Sequence, residues 1–183
     1  MEVDQDFINI RAFVAGDEKA FNLLAQKYQK KIYWHARRML GNHLDADEVT
    51  QEVLIVIYNQ LKKFNFNSAL YTWIYRITST RCINFIKKQK IKKFFFLDDE
   101  ENIDLKYNED ILVNLEAKEK LKKLDKVLAK LPTKQKEVFS LRHFEELSYE
   151  EIAEITGKSI GGLKANYFHA LKKVMEMYGD EKD

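Results

Sequence analysis

The sequence predicts an all-α chain: two small helical domains joined by an acidic linker, the C-terminal one containing a helix-turn-helix. Three observations predict it. Proline occurs once and glycine six times in 183 residues, which favours uninterrupted helices over a turn-rich β fold. Apolar residues recur every three or four positions, and no segment of any length alternates with the period of a strand. Charge is partitioned: Lys and Arg against Asp and Glu stand at 15 to 9 over residues 1–92, 2 to 7 over 93–112 and 14 to 13 over 113–183. A basic first domain, an acidic connector and a balanced second domain suit a nucleic-acid partner, because local basic patches displace counterions from phosphate.

Composition removes other classes. Cys82 is the one cysteine, so no disulfide framework or thiolate metal cage is expected, and the cytoplasm is the expected home. The N-terminus, MEVDQD, is acidic and lacks an apolar signal segment. No apolar run approaches the ~20 residues that cross a bilayer.

The first long helix is expected from Asp17 to Leu40, with Phe21, Leu24, Tyr28, Ile32, Ala36 and Met39 on its buried side. Asp17 and Glu18 complement the macrodipole at its start. Lys27, Lys30, Lys31, Arg37 and Arg38 give a basic face, for which solvent is the expected surrounding. Gly41 and Asn42 end this helix and Asp45 is expected to cap the next, which buries Val49, Val53, Val56, Ile57 and Leu61. Asp47, Glu48, Gln51 and Glu52 crowd its first two turns. Dipole complementation explains them, and so does an acidic docking patch.

Lys62 to Trp73 breaks the helical period. Asn65, Asn67 and Ser68 are turn formers, and Phe64, Phe66, Tyr71 and Trp73 surround them beside two lysines. Flat rings, amides and cations together are what a single-stranded nucleic-acid site uses; the alternative is a loop whose aromatics fold back into the core. The next helix has one side for the core, Ile74, Thr78, Cys82, Phe85 and Ile86. Its other side presents Trp73, Thr80, Asn84, Lys87 and Lys88 around Ile77, an aromatic head, polar readers and a basic tail along which a DNA strand could lie. Cys82 falls on the core side, as a small packing residue.

Residues 94–112 are acidic and weakly periodic and read as a linker. Phe94, Phe95 and Phe96 are expected to pack on the first domain or on a partner. From Val113 a third pattern carries Leu121, Leu124, Leu128 and Leu131 up to Pro132, and Thr133 opens a further helix burying Val138, Phe139 and Leu141.

Ser148 and Glu151 then form a capping box. Ala153, Gly157 and Leu163 fall at the spacings of a helix-turn-helix: a small residue at the crossing, a glycine at the corner and a branched residue locking the second helix. Ile160, Leu163, Tyr167, Ala170, Leu171 and Val174 make the second helix's apolar stripe. Gly161, Ala165, Phe168, His169 and Lys172 face away from it, with Lys164 on the flank. Small residues allow close approach, Phe can touch a thymine methyl, and Lys and His can reach phosphates or base edges in a major groove. The alternative is a hairpin whose Phe168 packs on a neighbouring helix.

Several of these segments, in this order, resemble an extracytoplasmic-function (ECF) sigma factor, of the sigma-70 family of bacterial RNA polymerase initiation subunits. GDEKAFNLLAQKYQKKIY is similar to the family's opening helix, DADEVTQEVLIVIYNQLKKF to its polymerase-docking segment and SALYTWIYRITSTRCINFIKK to its −10 promoter segment. LPTKQKEVFSLRHFEELSYEEIAEITGKSIGGLKANYFHALKKV is similar to its −35 domain. The resemblance implies a subunit that directs promoter-specific initiation, with core RNA polymerase and promoter DNA as partners and no cofactor or metal of its own. It leaves open an anti-sigma protein or another recruiting factor. It implies that Asp47, Glu48, Gln51 and Glu52 dock on the polymerase clamp. The loop Phe64, Asn65, Phe66, Asn67, Ser68 and Tyr71 would capture a flipped −10 base, and Trp73, Thr80 and Asn84 would line the melted strand ahead of Lys87 and Lys88. Lys164, Ala165, Asn166, Phe168 and His169 would read −35, with Lys172 beside them. The acidic connector would thread the polymerase cleft. Thr80 stands where many members have Asn, and Asn166 and His169 where Arg is usual, which predicts a shallower salt dependence of −35 binding.

A rival from another class is a dimeric helix-turn-helix regulator that binds duplex operator DNA without polymerase. An enzyme is not expected: His35, His43, His143 and His169 are scattered, without ligand spacing or a paired carboxylate site.

Overall fold

The computed structural model describes residues 5–95 and 115–179. Among them there are eight α-helices and no strand. The N-terminal module holds α1 (Gln5–Val14), α2 (Glu18–Leu40), α3 (His43–Gln60), a 3-10 turn (Leu61–Lys63) and α4 (Leu70–Phe95). The C-terminal module holds α5 (Leu115–Ala129), α6 (Thr133–Phe139), a π-helical turn (Ser140–Phe144), α7 (Tyr149–Thr156) and α8 (Ile160–Gly179).

The first core forms where the stripes of α1 to α4 meet. Ile10, Phe13, Leu24, Tyr28, Ile32, Met39, Val49, Val53, Ile57, Leu61 and Ile74 are all buried in it. The Asp17 carboxylate caps α2 by accepting from the Lys19 amide (3.0 Å), and Gly41 ends it at φ 86°, a left-handed turn that costs glycine least. The cap of α3 is Asn42 rather than the expected Asp45: the Asn42 side chain accepts from the Asp45 amide (2.8 Å) and donates to the Asp45 carboxylate (2.6 Å). Asn42 and Asp45 thus act as the two halves of one N-terminal box, and the backbone turns helical three residues earlier than Asp45 alone suggests. Cys82 is fully buried, as expected of a packing residue.

Two smaller clusters fill the second module. Val138, Leu141, Leu147, Ile152, Ile155 and Leu163 make one, and Leu128, Leu131, Phe139 and Ala170 the other. The capping box is present in full, with the Ser148 hydroxyl accepting from the Glu151 amide (3.1 Å) and the Glu151 carboxylate accepting from the Ser148 amide (2.6 Å). Gly157 turns the corner at φ 68°.

Three expectations change. Arg37 and Arg38 do not lie on a solvated face. The two modules pack together, so Arg37 makes a paired contact with Asp125 (3.1 and 2.7 Å), both side chains buried, and Arg38 is ion-paired with Glu145. Helix α4 continues to Phe95, past the expected linker boundary. Phe94 and Phe95 stack edge-on against each other and are 76% and 74% exposed, not packed on the first domain. Phe96, the acidic stretch to residue 112 and Val113 lie outside the described residues, as do the first four.

Candidate nucleic-acid interface

The aromatic loop is built by its neighbours. The Asn65 side-chain Oδ1 accepts from the Asn67 backbone amide (3.2 Å), an Asx turn. Between them Phe66 has φ 58°, and only Phe66 and Glu146 among the described non-glycine residues are left-handed. That backbone folds the Phe66 ring onto Phe64 (centroids 5.0 Å apart), and Phe64 in turn lies on Trp73 (5.3 Å). Phe64 and Trp73 are half-buried against the core, while Asn65, Phe66 and Asn67 remain exposed, with Ser68 half-buried beside them.

From this loop α4 extends as one helix. Its outer stripe runs through Trp73, Ile77, Thr80, Asn84, Lys87 and Lys88, spacings of three and four that share a face. Thr80, Asn84, Lys87 and Lys88 are exposed, with Arg81 beside them. Loop and stripe meet at Trp73, whose ring touches Phe64. Tyr71 departs from them. It is half-buried, and its hydroxyl donates to Glu151 of α7.

On α8 the apolar stripe faces inward: Leu163 and Ala170 are buried, and Tyr167, Leu171 and Val174 half-buried. Lys164, Ala165, Phe168, His169 and Lys172 are exposed, Phe168 by 63%. Asn166 is turned back, donating to the Gly162 carbonyl of its own helix (2.8 Å). The Ser159 hydroxyl accepts from the Gly162 amide (3.3 Å) at the start of α8.

The acidic group at the head of α3 is open to solvent. Glu48, Gln51 and Glu52 are exposed and Asp47 half-buried. Asp47 lies 3.1 Å from His43, and Glu52 3.6 Å from Arg81. Two apolar residues escape sequence reasoning here. Leu44 (77% exposed) and Ile55 (60%) bracket Glu48 and Gln51 on the same stripe. Their spacing, Leu44–Glu48–Gln51–Ile55, is the available signal, since core positions on α3 follow a different phase.

A set of contacts joins the modules beside the −10 candidates. Besides Tyr71, the Tyr75 hydroxyl donates to Glu145, which also holds Arg38, and Arg76 donates to the Glu154 carbonyl (2.6 Å). The Arg38 guanidinium lies over the Phe144 ring (4.5 Å), and Lys136 donates to the Met39 carbonyl (3.3 Å). Burial, then the Glu145 hydrogen bond, raises the Tyr75 phenol well above its ordinary value. Beneath these contacts His35 is fully enclosed, with Nε2 3.0 Å from the Ser79 hydroxyl. Burial, helped by the nearby Arg38 charge, pushes its pKa down to about 3, so the imidazole is neutral.

Among the described residues no three or more His, Cys, Asp or Glu are grouped to hold a metal ion, and no helix is long and apolar enough to cross a membrane.

Comparison with known proteins places two family models on these elements. Residues 24–91 match sigma-70 region 2 and residues 121–174 match sigma-70 region 4. The chain is 34% identical over 167 residues to the ECF RNA polymerase sigma factor SigW of Bacillus subtilis, covering 85% of this chain and 87% of that one. It is 31% identical over 166 residues to the ECF RNA polymerase sigma-E factor of Haemophilus influenzae, covering 87% of each. Two solved structures share the fold. CnrH in complex with the cytosolic domain of CnrY gives a TM-score of 0.74 at 19% identity, covering 98% of this chain and all of that one. The sigma factor RpoE of Bartonella quintana in complex with the anti-sigma factor NepR gives 0.73 at 20%, covering 88% and 98%.

Proposed function

The chain belongs to the ECF sigma factors of the sigma-70 family, which direct transcription initiation with RNA polymerase, and on that premise we propose how it divides the promoter between its two modules. Helix α8 reads the −35 element as duplex, and the Phe64–Tyr71 loop with the outer stripe of α4 holds the −10 element as a melted strand. The observation that carries this is the exposure of Asn65, Phe66 and Asn67 at the head of α4 together with Thr80, Asn84, Lys87 and Lys88 along that helix. An exposed ring and amides at the head of a basic helix fit unstacked bases and their phosphates, not a closed duplex. Melting is then driven by exchanging base stacking for aromatic and polar contacts, about a few kcal/mol per flipped base. The acidic stripe of α3, with Leu44 and Ile55, docks on the polymerase, and polymerase supplies the chemistry in the cytoplasm.

The packed arrangement bears on this reading. Elements centred at −35 and −10 are about 25 base pairs, hence about 85 Å, apart along the duplex. A compact chain of this length is only about 40 Å across. Both elements can be held at once only if the modules part, breaking Tyr71–Glu151, Tyr75–Glu145 and Arg37–Asp125. We therefore read the packed form as a resting state that opens on polymerase, and an anti-sigma protein or another recruiting factor as the class of partner that biases it.

Run-off transcription with core polymerase on a promoter library tests the proposal, with activity expected to depend on both elements. Tight binding of closed duplex by a symmetric pair of chains, without association with core polymerase, would overturn it.

A further inference from the structure

We propose that Phe7, in the N-terminal helix α1, is a positioning residue for the −10 loop; this rests on the reading of that loop as a base-capture site. The Phe66 ring is held on two sides. Phe64 lies on one, and Phe7 reaches it from α1 with centroids 4.9 Å apart. The chain of contacts continues outward, because the Arg11 guanidinium sits 4.3 Å from the centre of the Phe7 ring. Arg11, Phe7, Phe66, Phe64 and Trp73 thus form one continuous series of tilted and edge-on contacts from the N-terminal helix across the loop to the head of α4.

Phe7 is fixed firmly enough to act as a prop. Its neighbour Asp6 is buried, accepting from the Tyr28 hydroxyl and pairing with Lys27 (2.6 Å), and one turn on Ile10 and Phe13 enter the core. A left-handed Phe66 is unfavourable in itself, and such a conformation persists only where surrounding contacts over-determine it. Among the described residues, the Asn65 turn and these two rings hold it. Of the two rings, Phe7 comes from outside the loop and the helix it leads into. Without that ring, Phe66 is free to leave the left-handed well, and Asn65 and Asn67, on either side of it, swing with the backbone. The prediction is loss of base discrimination rather than loss of fold.

The test uses the full chain assembled with core polymerase, bound to forked promoter DNA in which each −10 position is changed to every base or to an abasic site. Wild type should show a position where removing the base weakens binding strongly, and Phe66→Ala should flatten that preference. Phe7→Ala is expected to flatten it at the same position by at least about five-fold, the lower end for losing one base–aromatic stack. Phe7→Tyr should restore it, and affinity for core polymerase should stay unchanged. Phe7→Leu, which keeps apolar bulk without the flat ring, should resemble Phe7→Ala and guards against an unfolded alanine variant. Retained discrimination in Phe7→Ala and Phe7→Leu, with Phe66→Ala impaired, would overturn the role of Phe7 alone. A parallel loss of core affinity would overturn it in favour of plain structural support. A wild-type chain indifferent to every −10 base would sink the loop reading and the role of Phe7 together.

Discussion

The Tyr71 hydroxyl donates to the Glu151 carboxylate, joining the head of α4 to the N-terminal box of α7. The same carboxylate accepts from the Ser148 amide (2.6 Å). One side chain therefore both starts α7 and holds the other module against it.

Tyr71→Phe should separate these roles. It removes the intermodule bond and leaves the box intact, so the modules should part more readily while α7 keeps its stability. Glu151→Ala removes the intermodule bond and the carboxylate half of the box, adding about 1 kcal/mol of destabilisation from the lost hydrogen bond to the Ser148 amide, while the Ser148 hydroxyl still caps α7. Distances between dyes placed one on each module, read beside urea midpoints, check the pair. The Tyr71 hydrogen bond first, and the Ser148 amide next, hold the Glu151 carboxyl below its ordinary 4.5. The contact is therefore present above that value and is lost as pH falls through the depressed one.

The Arg37–Asp125 pair is buried on both sides. Asp125→Ala takes the opposite charge away from a buried guanidinium and should weaken the packed form by about 3–5 kcal/mol, whereas replacing both with apolar residues of similar volume should restore most of it. Comparing the open fraction in the single and double variants measures the difference.

Acid should loosen the first module through His35. Unfolded, this imidazole takes up a proton below pH 6.5; folded, it stays neutral until about 3. Stability from this group is complete above 6.5 and declines as pH drops, by about 1.4 kcal/mol per unit. Urea midpoints at pH 7 and 5.5 should differ in wild type, and that difference should shrink in His35→Gln.

Asn166 is an uncharged side chain folded back on its own helix, and His169 is exposed one turn further along the same face. Asn166→Arg with His169→Arg should steepen the salt dependence of −35 duplex binding by about 0.9 in log–log slope for each additional phosphate neutralised. Anisotropy titrations of the holoenzyme across salt concentrations measure it, and an unchanged slope would place these positions away from phosphate.

Burial raises the Cys82 thiol to about 12. The folded chain should resist thiol reagents at neutral pH and react once unfolded, which a timed alkylation follows. Dyes for the distance measurements can then be attached to introduced surface cysteines without labelling Cys82.

Most of the helices are legible because each module buries a stripe written into its own sequence. The Ser148–Glu151 box and the Gly157 corner depend on residues a few positions apart, and both form as expected. Asn42 is not evident as a cap because two good capping residues, Asn42 and Asp45, lie in one turn and each satisfies the other. The intermodule contacts cannot be read at all. Arg37 and Asp125 are far apart in sequence, and each looks like an ordinary surface charge until the fold brings them together. Phe7 gives no signal because α1 has no long stripe, and its value depends on Phe66, whose left-handed backbone has no sequence signature at a phenylalanine.

Helix α4 has no break from Leu70 to Phe95, 26 residues, or about 39 Å of rigid rod. The loop at one end and the lysines further along cannot turn independently, so tilting either tilts both. On the proposed reading, a strand gripped at the aromatic end would leave on a bearing fixed by the protein, as a carriage leaves a platform on rails already laid.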